Sequence, residues 1–275
     1  MPKRIQRVCA FCGAANSFSK EHVWPQWLAK YTTVECATRM TASASISHDT
    51  EGIADIRPLD LLERPGSALG FQVREVCERC NNGWMSRLES QAEPLLVPLM
   101  RGQHVQITPT DATVIATWAT KSTYMNEYIG VPGIDRRPTP ATSAAMRRDL
   151  MDFQVPPAQT RVWAARHIGR FHIDMRSAEM EVVKVPDPTT TDAFKVLTNA
   201  ISMEQLTLLV WSTDCTGTEP PRLHPAEWLP LWPRARDLRW PPPRSIPDAE
   251  VERAALHHQD RYRPVASRGV RLHAR

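Results

Sequence analysis

Two short stretches, VCAFCG at residues 8–13 and VCERCNNGW at residues 76–84, decide how this chain reads. Each holds a C-x2-C pair. A tight turn brings two such sulfurs together and aims both into one tetrahedral site. Two turns then supply the four ligands of a structural Zn²⁺: Cys9, Cys12, Cys77 and Cys80. Gly13 closes the first turn. The 64 residues between Cys12 and Cys77 must loop out for the two halves to meet. Cys36 and Cys215 lack a partner at this spacing and read as idle thiols.

Composition sets the frame. With 275 residues, the chain has room for one large domain or two small ones. The net charge is +4, from 34 Lys+Arg and 30 Asp+Glu. The excess sits at the end: from Pro233 onward there are 10 Arg against 5 Asp and Glu. The remainder is near neutral, so charge alone does not point to nucleic acid, although the basic end is compatible with it. No apolar run approaches the roughly 20 residues that span a bilayer, so no membrane partner is expected. The start, MPKRIQRVCAFCG, has no apolar h-region, and a cytoplasmic location is the expectation. Paired cysteines in a reducing compartment read as metal ligands before disulfides.

The segment following the first pair is SKEHVWPQWL, residues 19–28. Pro25 disfavours a helix through His22, so His22 and Val23 should be extended, with a short helix from Pro25 to Lys30. Trp24, Trp27 and Leu28 are core candidates. Residues 32–70 show no sustained period and read as an insertion. FQVREVCERC reads as a strand. A helix from about Asn82 carries a stripe of Trp84, Leu88, Ala92 and Leu95 or Leu96. Beyond it, Thr110–Asp111 can cap a helix running toward Gly130, and TSAAMRRDLMDF reads as a shorter one. TRVWAARH, RFHIDMRS, EMEVVKV, DAFKVLTNAISM and EQLTLLVWST read as strands of a mainly antiparallel sheet.

The order C-x2-C, Glu-His-x-x-Pro, C-x2-C-Asn resembles the HNH family of ββα-metal nucleases, in the type stapled by a four-cysteine zinc. The residues that carry the resemblance are Glu21, His22 and Pro25 in EHVWP, and Cys77, Cys80 and Asn81 in CERCN. It covers the first hundred residues or so. It implies a metal-dependent endonuclease acting on DNA, most simply double-stranded. His22 would be the general base that takes a proton from water, a task that suits imidazole. Glu21 and Asn81 would hold one catalytic cation, and oxygen ligands favour Mg²⁺ or Mn²⁺.

The sequence departs from the family in three places. Glu21 stands where Asp or His is commoner. The asparagine expected shortly before the second cysteine pair is absent, and Gln72 or Arg74 occupies that neighbourhood. Trp84 replaces a frequent lysine, and Asn82 offers a second carbonyl beside Asn81. A non-catalytic zinc-binding module that holds nucleic acid or protein, or an RNA-cutting relative, is the competing expectation.

The expected fold is thus α+β. A zinc-stapled ββα-metal module with a long insertion occupies residues 1–103. An α+β region with a mainly antiparallel sheet follows over 104–231, and a low-order Pro/Arg-rich tail over 232–275, in which Pro247–His258 can hold a short helix.

Overall fold

The computed structural model describes residues 7–255 apart from 16, 33–36, 41–44, 49–53, 58–61, 130–139, 171, 184–192, 215–218 and 234–235. Cys36, Cys215 and the terminal segment 256–275 lie outside the described residues.

Strand β1 (Phe18–His22) pairs antiparallel with β6 (Gln72–Cys77). Their register sets His22 opposite Gln72 and Phe18 opposite Cys77, with a bulge between Ser19 and Glu21. A single 3-10 turn, Gln26–Lys30, follows β1 where a short helix is expected. Between β1 and β6 the insertion holds two antiparallel pairs, β2 (Ala37–Met40) with β5 (Leu62–Ser67) and β3 (Ser45–His48) with β4 (Ala54–Arg57).

The chain leaves β6 into a helical turn, α1 (Glu78–Cys80), a wide turn over Asn81–Met85, and α2 (Ser86–Met100). Trp84, Leu88, Ala92, Leu96 and Leu99 are all buried, which is the i, i+4 stripe expected of this segment. After β7 (Val105–Ile107), helix α3 runs over Pro109–Asn126. Its cap is Thr108 rather than Thr110: Pro109 takes the first helical position, and Thr108 and Asp111 exchange side chain-to-backbone hydrogen bonds. Helix α4 (Ala144–Phe153) is capped by Ser143.

The main sheet has five antiparallel strands in the order β12 (Trp228–Trp232), β8 (Thr160–Arg166), β11 (Leu206–Thr213), β10 (Ala193–Met203), β9 (Ile173–Val183). RFHIDMRS and EMEVVKV are not two strands: β9 runs through both, because all eleven residues find partners along β10. All eight residues of β11 are buried. Leu206, Leu208 and Val210 join the core around α3, while Leu209 faces a second cluster with Trp228, Ile246 and Val251. A central strand covered on both faces accounts for the unbroken apolar run LLVW.

The described residues of 236–255, expected as low-order tail apart from a short helix over Pro247–His258, are built into the fold. β13 (Leu238–Trp240) pairs with β7, and α5 (Asp248–Ala255) lies on the sheet face opposite α3. Trp240, Ile246, Val251 and Ala254 supply burial that the prolines and arginines around them disguise. Asp248 accepts from His167 at 2.7 Å and from the Arg170 backbone at 3.0 Å. Glu252 pairs with Arg176 at 2.8 Å.

The segments on either side of residue 103 share one core. Trp27 lies 6.4 Å from Trp118 of α3, and one continuous cluster of buried residues reaches from Cys9 to Trp240. A fragment ending at Gln103 loses α3, which covers α2 and Trp27. It should lack the sharp amide dispersion of the full chain in a proton–nitrogen correlation spectrum. A well-dispersed spectrum from the fragment would show that the first segment folds alone.

Candidate metal centre and histidine ribbon

The first cysteine turn is closed by backbone bonds. Cys9 N–H donates to Ala14 O at 2.9 Å, and Gly13 N–H to Cys9 O at 3.0 Å. Gly13 has φ of +72°, a conformation that favours glycine. Ala10 N–H donates to Glu75 O at 2.8 Å, which ties this turn to β6. Cys77 N–H meets Cys9 Sγ at 3.4 Å, and Cys12 Sγ lies 3.6 Å from Cys77 Sγ. All four sulfurs fall within 4.8 Å of one another, a set that can hold a metal ion such as zinc. The hydrogen bond with Cys80 pushes the Cys9 thiol down to about 4, and the same bond pushes Cys80 up. Phe11, inside the first cysteine turn, and Trp84, after the second, meet edge to face at 5.2 Å.

Helix α4 supports this centre from outside the first hundred residues. Arg147 is buried, donates its Nε–H to Ala10 O at 2.9 Å, and braces itself on Thr142. Met151 Sδ sits 3.8 Å from Cys80 Sγ.

Beside the cysteines, the β1–β6 ribbon carries two of the three residues expected at a catalytic site, Glu21 and His22, and the wide turn after it carries Asn81. His22, the last residue of β1, is half-buried, and its Nε2 lies 2.7 Å from the side-chain amide of Gln72 and 3.1 Å from that of Gln26. Its Nδ1 has no hydrogen-bond partner among the described residues. Glu21 turns the other way. It is buried, and its Oε1 accepts from Lys121 Nζ of α3 at 3.2 Å. This is the alternation of a strand: adjacent side chains take opposite faces. Asn81 donates to Ser19 Oγ at 2.9 Å and to Lys20 O at 3.4 Å, fastening the wide turn to β1. Among the described residues, no hydrogen bond joins Glu21, His22 and Asn81 to one another.

Lys121 is fully buried, and it also donates to Glu89 Oε1 of α2 at 2.6 Å. Glu89 in turn accepts from the indole N–H groups of Trp27 and Trp118, each at 3.0 Å. Burial pushes the Glu21 carboxyl above the usual carboxylate range, against the pull of Lys121. Burial works against the Lys121 ammonium, but Glu89 and then Glu21 outweigh it and hold its pKa above the ordinary lysine value. Sequence reading missed Lys121, Glu89 and Gln26. One signal for the lysine was present: Lys121 is the lone charged residue between Asp111 and Glu127.

No family model, curated protein or solved structure matches this chain.

Metal analysis of the purified protein should find about one ion per chain at the cysteine site, by the four-ligand stoichiometry of such centres. Cys77→Ser should release it and lower the melting temperature, as read by elemental analysis and circular dichroism. Full metal retention in that variant would rule out ligation by this cluster.

Proposed function

We propose that this protein is a metal-dependent endonuclease of HNH type, with the ββα-metal module in its first hundred residues and double-stranded DNA as substrate. The observation that carries the reading is His22: an accessible imidazole at the end of β1, clamped across the ribbon by Gln72, beside a four-cysteine cluster. Gln72 stands in the neighbourhood where the family's asparagine is missing. It supplies the function that the missing residue would have, holding the ring in place.

His22 is the general base. Its Nδ1 takes the proton from water when the ring proton sits on Nε2. Gln72 and Gln26 favour that tautomer when their amide oxygens face Nε2, a half-turn of each carboxamide. The donor set for a cation is Glu21, whose second carboxylate oxygen has no partner among the described residues, and Asn81 through its carbonyl. Oxygen donors of this kind fit Mg²⁺ or Mn²⁺. The chemistry such an ion supplies is charge stabilisation on the phosphate and the leaving oxygen. Zn²⁺ is assigned to Cys9, Cys12, Cys77 and Cys80 as a structural ion. Chemistry on nucleic acid together with thiolate zinc ligation fits a cytoplasmic protein.

A second reading, the non-catalytic zinc-binding interaction module, is favoured by one observation: Lys121 already occupies one oxygen of Glu21. Plasmid nicking separates the two. With Mg²⁺ or Mn²⁺, wild type should nick supercoiled plasmid, and His22→Ala should lose about 10² to 10⁴-fold in rate, the usual worth of a general base. Gln72→Leu should lose part of this, while Gln72→Glu should keep activity by accepting Nε2–H. Equal rates in wild type and His22→Ala, or no nicking with any divalent ion, would remove the mechanism. The same assay on single-stranded and duplex RNA decides the RNA-cutting alternative.

Lys20 and Arg74 are exposed on the two strands of the His22 ribbon, and Arg79 and Arg87 are exposed on the helical segment that follows. Basic side chains so placed suit phosphate contacts. Lys20→Ala with Arg74→Ala should weaken DNA binding about equally across sequences. It should also flatten the salt dependence by roughly one unit of slope for each phosphate left without its cation. An unchanged salt slope in a binding titration would place the backbone elsewhere.

A further inference from the structure

We infer that Lys121 of α3 is a positioning residue of the proposed site, an internal cation that ties down one oxygen of Glu21 and leaves the other to a divalent ion. This deepens the nuclease reading and rests on it.

Charge and hydrogen bonding carry the inference. Two carboxylates, Glu21 and Glu89, share one ammonium. Glu89 is the saturated member, with Lys121 at 2.6 Å and two indole N–H donors at 3.0 Å. Its charge is answered in full by neighbours that packing fixes in place. Glu21 receives only the longer arm of the lysine, at 3.2 Å, and is buried all the same. With both carboxylates ionised, the cluster carries one negative charge more than its lysine can balance, and the surplus is costlier on Glu21, the less exposed of the two. A structural ion pair needs only one carboxylate. The surplus falls on the residue whose second oxygen has no partner among the described residues, and that oxygen is where an external cation is called for. Lys121 does two further things. Its bond to Oε1 stops Glu21 from chelating with both oxygens, and its charge keeps the external ion weakly held and exchangeable. The segment after residue 103 thereby contributes directly to a site whose other members lie in the first hundred residues.

The test uses the full chain with its cysteine site loaded with zinc, and reads Mn²⁺ binding by electron paramagnetic resonance beside plasmid nicking. Lys121→Met keeps most of the volume and removes the charge. It should bind Mn²⁺ about tenfold more tightly, since a unit charge close to a divalent ion is worth at least that much even with strong screening. Turnover should fall about tenfold as Glu21 loses its fixed pose. Tighter ion binding with slower turnover is a split that a merely structural lysine would not produce. Lys121→Arg should move both values back toward wild type, and Glu21→Gln should abolish the Mn²⁺ signal. Should Lys121→Met fail to fold, Lys121→Met with Glu89→Gln restores the original charge balance and should still tighten Mn²⁺ binding, by less than tenfold, through the freed Oε1. Unchanged or weaker Mn²⁺ binding in the folded variants, or Mn²⁺ binding by Glu21→Gln at wild-type strength, would overturn the inference; a proton on Glu21 would then answer the surplus. Binding is read apart from cleavage. A wild-type protein that binds Mn²⁺ through Glu21 and cuts nothing sinks the nuclease reading and leaves the Lys121 inference standing. A wild type that cuts, with Mn²⁺ affinity unmoved in Lys121→Met, does the reverse.

Discussion

A lysine ammonium with no exposure to water fixes how the parts of this protein meet. Lys121 sits in the middle of α3, a helix whose residues from Ile115 to Met125 are all buried. Thr113, Thr117 and Thr120 satisfy their hydroxyls on carbonyls one turn back, so the helix meets these polar groups internally. Lys121 cannot do that. Its charge needs anions from other elements, and β1 and α2 bring Glu21 and Glu89. Removing one member of a buried pair costs about 3–5 kcal/mol, a large share of a typical domain's stability. β1, α2 and α3 are therefore locked at one point by charge as well as by apolar area. Trp27 and Trp118 add their indole N–H groups to Glu89, so two side chains that count as core are also part of the polar lock.

The cysteine cluster imposes a second constraint of the same kind. Its four sulfurs come from the two ends of a long insertion, and the β1–β6 ribbon spans the gap between them. Phe18 stands opposite Cys77 in the ribbon, and Glu78 N–H donates to Ser17 O at 2.9 Å, so strand pairing carries the second cysteine turn toward the first. α4 then secures the first turn through Arg147. An ion held by the four sulfurs would tie the same point from inside. Both constraints reach from the first hundred residues into the rest, and for this reason the shared core ignores the boundary at residue 103.

Local pattern carried the features that local physics sets. The paired cysteines, the extended EH ahead of Pro25, the α2 stripe, and the cores of β8, β10 and β11 are all legible from spacing and periodicity. The cap of α3 was misplaced by two residues because a second Thr lies close to the true one, and only Pro109 distinguishes them. The end of the chain misled for a different reason. Its arginines and prolines dominate composition, yet a few apolar residues at the right places, Trp240, Ile246 and Val251, suffice to dock it. What sequence could not show is pairing at a distance. Glu21 and Lys121 are a hundred residues apart, and nothing near either one names the other. Gln72 is a milder case: its position invited comparison with the missing asparagine, but its bond to His22 depends on a register that the bulge at Ser19–Glu21 adjusts.

The adjacency of Glu21 and His22 takes on a different meaning once the strand is in place. Next-door residues on a strand serve opposite faces, so EH is divided between the interior and the surface. His22 keeps an accessible ring on the outer face, and Glu21 joins the lock beneath. That division could serve an interaction module as well as an enzyme if Glu21 merely balanced Lys121. Glu89 meets the same ammonium at shorter range and accepts from two further donors, so Glu21 is the weaker half of that balance. A module that only binds a partner gains nothing from a second carboxylate on that ammonium, and Glu21, which is buried, bears the cost of desolvation. A site that must hold a cation gains a ligand from it, prepared in advance by a lysine on one side and open on the other. In the proposed nuclease, the open oxygen of Glu21 and the accessible ring of His22 are the two features that a purely binding module would leave unused.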